Sequence, residues 1–151
     1  MAPALAPHYW RALGYGAGRY WYDNERSWSL LHAHLQAFVP RLNPTAQRAF
    51  LQGVGEWLFT HFIYTPGVAP AELERFPHAY QEGLFEGWGT ALGEFELTPV
   101  FPWLGKESPF WTAWTKGLSA RSLVSVQRGK AQFDALFEGA ASSAPGLPLR
   151  P

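Results

Sequence analysis

His78, Glu82 and Glu86 stand at i, i+4 and i+8 in the stretch HAYQEGLFEGWGTALGE, residues His78–Glu94. On a helix that spacing makes one stripe, and an imidazole with two carboxylates on a stripe is a donor set for a metal ion. Di-iron bundles, however, pair each bridging Glu with a His three residues on. No Glu in this chain has His at that position. The simpler reading is a solvated acidic face, or carboxylates that partner Arg121 and Arg128. Glu82 and Glu86 each precede a glycine, so if buried they would lie beside a close helix contact and need a cationic or hydrogen-bonding partner.

Other chemistry-bearing residues point less far. His32 and His34 flank Ala33 and fall on different faces of one helix. His61 follows Trp57 by one turn. The serines lack the strand–turn–helix context of a nucleophile elbow. Gly14-Tyr15-Gly16-Ala17-Gly18 has neither the spacing nor the preceding strand of a dinucleotide fingerprint. His8-Tyr9-Trp10-Arg11 and Arg19-Tyr20-Trp21-Tyr22 interleave basic and aromatic residues as single-strand binders do. With twelve basic and twelve acidic residues the chain has no net field to attract nucleic acid or anionic lipid. There is no cysteine, which excludes disulfides, thiolate catalysis and cysteine-ligated zinc.

The elements that position these residues read as helices. Tyr80, Leu84, Phe85, Trp88, Leu92 and Phe95 recur at steps of three and four, which predicts a central helix over His78–Phe95. Four glycines, at 83, 87, 89 and 93, interrupt it. Each costs about 1 kcal/mol against alanine in a helix interior, so close approach by another backbone, a ring or a ligand must offset them. Before this helix, the spacing predicts a helix over about Pro7–Tyr22, a second with Trp28, Leu31, Leu35 and Phe38 on one face that ends before Pro40, and a third from the Asn43-Pro44 cap to about Tyr64. Ala71–Phe76 reads as a short helical turn. After it, residues 97–107 form an aromatic-bearing connection that can fold over the bundle as a flap. Ser108-Pro109 opens a fifth helix with Trp111 and Trp114. A last helix spans about Ser119–Ala140, with Gly129 as a candidate kink.

Helix three and the central helix share a pattern. Phe50-Leu51-Gln52-Gly53-Val54-Gly55-Glu56-Trp57-Leu58 aligns without gaps on Leu84-Phe85-Glu86-Gly87-Trp88-Gly89-Thr90-Ala91-Leu92. Gly14-Tyr15-Gly16 is a partial copy. Glycines at i and i+2 point to nearly opposite sides of a helix, so such a helix can be approached closely on two sides.

The expected fold is therefore all-α: a compact bundle of five or six helices with a weak internal duplication of glycine-notched helical hairpins. One domain covers residues 1–140, with a disordered tail over 141–151. Aromatic residues are abundant, eight Trp, eleven Phe and six Tyr, and only 16% of residues are charged. That composition fills a core and leaves aromatic surface for association. There is no signal-peptide pattern and no apolar run long enough to span a bilayer, so the expected location is cytoplasmic. Scarce Asn and Met with thirteen prolines are compatible with a thermophile.

No motif identifies an enzyme or a cofactor. The expected function is a non-catalytic helical interaction module that forms a homo-oligomer through aromatic surface. The alternative is a binding protein for an apolar or planar small molecule held between the glycine-notched helices. Trp57, Phe85, Trp88 and Trp103 would line that site, with Glu82 or Glu86 as its polar anchor.

Overall fold

The computed structural model of the protein describes residues 5–63, 69–96, 112 and 114–143. Six α-helices account for most of them, and there is no strand among the described residues. They are α1 (Ala6–Glu25), α2 (Trp28–Phe38), α3 (Pro44–His61), α4 (Ala69–Leu73), α5 (His78–Glu96) and α6 (Ala120–Ser143). A 3-10 turn over Val39–Arg41 follows α2. The expected flap, most of the expected fifth helix and the tail beyond residue 143 lie outside the described residues.

Local chemistry sets the helix ends. Asn43 accepts a hydrogen bond from the Ala46 amide at 2.9 Å, and Pro44 opens α3, the cap-plus-proline start the sequence predicts. Ser27 caps α2 through the Leu30 amide at 3.3 Å. α1 continues past Tyr22 to Glu25 and stops where Arg26 adopts φ 47°, its amide bonded to the Tyr22 carbonyl. Ahead of α6, Gly117 takes φ 84°, a left-handed value that glycine adopts without steric cost. Ser119 Oγ then accepts from the Ser122 amide at 3.2 Å. α3 ends at His61 rather than Tyr64, and α6 runs unbroken through Gly129 to Ser143.

The four long helices α1, α3, α5 and α6 lie in a row, each packed chiefly on the next. Their contacts keep a nearly constant sequence offset. Arg48 meets Glu82 and Phe59 meets Phe95 across α3 and α5. His78 meets Arg121 near the starts of α5 and α6. Gly14 meets Phe50 and Gly18 meets Val54 across α1 and α3, and Gly93 meets Phe133 farther along α5 and α6, so all three neighbouring pairs are parallel. Parallel neighbours require a return segment between them, and α2 with its 3-10 turn supplies the first, burying Leu31, Leu35 and Val39.

Each crossing in the row is made by a reciprocal pair of glycines. A Cβ on Gly14 would collide with the Phe50 carbonyl, and one on Gly53 with the Arg11 carbonyl. Gly55 and Gly87 seat against the carbonyls of Leu84 and Gln52, and Gly89 and Gly129 against those of Val126 and Glu86. The register repeats: in every pair, each glycine meets the carbonyl three residues before its partner. This is the close packing that small residues permit between helices. It explains why α3 and α5 tolerate interior glycines: one notch serves each neighbour.

Candidate functional site

The carboxylates of α5 meet cations from both sides. Glu86 is fully buried. Its Oε2 accepts from Arg48 Nε at 3.1 Å and from Gln52 Nε2 at 2.8 Å. Its Oε1 accepts from Arg48 and from Arg128 at 3.1 Å. Glu82, half exposed, accepts from Arg128 at 2.7 Å and from Arg48 at 3.3 Å. The cluster thus ties α3, α5 and α6 together through two arginines and two glutamates, so the formal charges cancel.

A buried carboxylate is costly unless paired and hydrogen-bonded, and Glu86 meets both conditions. The Arg128 hydrogen bond holds the Glu82 carboxyl below the usual glutamate range, with the two arginine charges acting in the same direction against partial burial. The Glu86 hydrogen bond raises Arg48 and Arg128 in turn. The lowered carboxyl of Glu82 is a weak base, which suits a cross-tie better than proton transfer. His78 does not join the glutamates. Its Nδ1 lies 2.6 Å from Arg121, and a guanidinium can only donate, so Nδ1 accepts. Among the described residues no three His, Asp or Glu side chains come together as a metal site.

Beside the cluster, α5 and α6 leave a cleft of about 350 Å³ lined by Gln81, Glu82, Phe85, Arg121, Ser122, Val124, Ser125 and Arg128. Glu82 and Phe85 are the two expected site residues that line it. Trp57 and Trp88 are not brought together. Trp57 lies four residues after Gly53, is turned to α1, and stacks on His61 at 4.8 Å. Trp88 is fully buried against Phe59 and Trp114, at 5.3 and 5.2 Å between ring centroids. The carbonyls of the crossing helices occupy the notches between α3 and α5. Trp103 lies outside the described residues.

Sequence reasoning missed Arg48 and Gln52. The signal was present: Arg48, Gln52 and Gly55 stand at i, i+4 and i+7, so the two polar side chains share the stripe of the notch that receives α5.

α1 is one end of the row, and its outward face carries exposed apolar side chains. Tyr9, Leu13, Gly16 and Tyr20 fall at i, i+4, i+7 and i+11, one stripe of the helix. Tyr9 is 48% exposed, Leu13 40% and Tyr20 68%. A Cβ on Gly16 would meet nothing within 4 Å. No helix among the described residues is long and apolar enough to cross a membrane. No protein-family model, curated protein or solved structure matches the chain.

Proposed function

We propose that this protein is a non-catalytic helical interaction module that self-associates through the outward face of α1. The observation that carries the reading is the exposed stripe Tyr9, Leu13 and Tyr20 around the open notch at Gly16. Large apolar side chains aligned on one helix face are the sort of patch that marks an interface. The Glu82–Glu86 cluster supports a structural role for Glu86, the one charged side chain buried among the described residues, since cations or an amide engage both of its carboxylate oxygens. Sedimentation velocity over a concentration series tests the proposal. The wild-type chain is expected to self-associate, and Tyr9→Glu with Tyr20→Glu to remain monomeric. A wild-type chain still monomeric at about 1 mM, where an association of about −4 kcal/mol is half-complete, would refute it.

The cleft between α5 and α6 favours a second reading: a small molecule bound there, with Phe85 and Val124 as apolar wall and Glu82, Arg121 and Arg128 as polar contacts. Its volume lies in the range of small-ligand sites. Native mass spectrometry of protein purified from its own host tests this reading. A fixed extra mass per chain, lost with Val124→Trp, is the expected result, and the bare chain mass would count against it.

A further inference from the structure

We infer that the partner on α1 is a second copy of this chain, docked with the two α1 helices parallel and crossing at Gly16, so that the assembly closes as a two-fold dimer. The inference rests on the self-association proposed above and specifies its geometry. Three crossings inside the molecule obey one rule: helices run parallel, and each notch glycine seats against the carbonyl three residues before the partner glycine. The fourth face that meets the same requirements is the outside of α1. Applied to two copies, the rule seats Gly16 against the Leu13 carbonyl of the other chain. Leu13 lies on the same exposed stripe.

The internal crossings also give the flanking register. Residues four before the notch meet, as Gly83 meets Leu51. So do residues four after it, as Gly18 meets Trp57 and Gly93 meets Phe133. Between two copies these positions are Ala12 against Ala12 and Tyr20 against Tyr20. The small pair permits approach at one end, and the tyrosines provide a ring contact at the other.

The far end of the row decides between a closed pair and an open chain. Gly129 is the one glycine of α6 between residues 120 and 136, and it is already seated against Glu86. Over residues 120–136 a second copy therefore finds no open glycine notch on the outside of α6, and head-to-tail growth has no matching glycine there. An isologous contact through α1 closes at two. A helix of 20 residues is about 30 Å long and roughly 10 Å wide. A strip of that size is well below the ~800 Å² per partner of a standard interface. The dimer is accordingly weak and concentration-dependent.

The chain contains no cysteine, so single-cysteine variants report the register without background. Ala12→Cys and Tyr20→Cys are each expected to form a disulfide with their own kind under air oxidation. A mixture of the two variants is expected to give no added product that joins position 12 of one chain to position 20 of the other. Gly16→Ala is the companion test. It folds, because nothing surrounds that position in the monomer, and it is expected to weaken association by roughly tenfold, the scale of one overpacked contact. Cross-linking only between Ala12→Cys and Tyr20→Cys chains would mean an antiparallel pair. That result, or a Gly16→Ala dimer as strong as wild type, overturns this inference while leaving self-association standing. A monomeric wild type overturns both.

Discussion

Gly87→Ala adds one methyl group where α3 and α5 cross, and the structure sets its cost. The new Cβ would lie 2.6 Å from the Gln52 carbonyl carbon and 2.8 Å from its Cα, where ordinary contact begins at 3.4 Å. Both are backbone atoms, so no side-chain rotation relieves the clash. The helices must separate by at least about 0.8 Å, the difference between 3.4 and 2.6, because the Gln52 carbonyl oxygen stands closer still. A gap of 0.5–1 Å forfeits a quarter to a half of each dispersion contact across it, and overpacking of this kind costs about 1–3 kcal/mol. Separation also unseats Gly55 from Leu84 on the other side of the same crossing. We take about 3 kcal/mol for the clash and return about 1 for the better helix propensity of alanine. The net loss is about 2 kcal/mol, or roughly 4–8 °C in Tm for a chain of this size. The same substitution at Gly16, with no atom within 4 Å, keeps only the gain of about 1 kcal/mol. Urea denaturation followed by tryptophan fluorescence reads both, at a protein concentration low enough for the monomer. Gly87→Ala as stable as Gly16→Ala would refute the close-crossing account of these glycines.

Glu86→Ala leaves Arg48 and Arg128 facing a void beside Gln52, and its expected cost is about 3 kcal/mol, the low end for breaking a buried pair because both arginines keep Glu82 and water. A loss below about 1 kcal/mol in the same urea assay would show that the cluster holds little. Glu82 supplies a pH dependence of defined sign. Its carboxyl is held below the usual range when folded, so its contribution is full above the unfolded value and is lost as pH falls through the folded one. The urea midpoint of the wild type should therefore fall more between about pH 5 and about pH 3 than that of Glu82→Gln, and parallel curves would contradict the pairing. Asn43→Ala removes the cap of α3 and should cost about 1 kcal/mol. An unchanged midpoint would mean that water replaces the cap.

The sequence alone determined that the chain is helical, where most helices begin, and that the paired glycines mark close contact. These follow from local chemistry: the 3.6-residue period, the Asn43-Pro44 start, and the unfavourable cost of glycine in a helix interior. It also singled out Glu82 and Glu86, since a carboxylate beside a notch needs a cation. It did not determine which neighbour each notch faces. Glycines at i and i+2 fix two opposite sides of a helix, but only the packed row assigns Gly53 to α1 and Gly55 to α5. That assignment turns Trp57 away from Trp88 and brings Phe59 to it instead, so the aromatic residues grouped by sequence divide between two interfaces. The same packing selects Arg48 for Glu86, a partner 38 residues away that charge pattern cannot choose among nine arginines. It also separates Gly14, which is engaged, from Gly16, which is open. Local sequence fixes what a helix can offer on each face, and the tertiary arrangement decides which faces are used, because a notch is filled only by a backbone that the rest of the chain brings within reach.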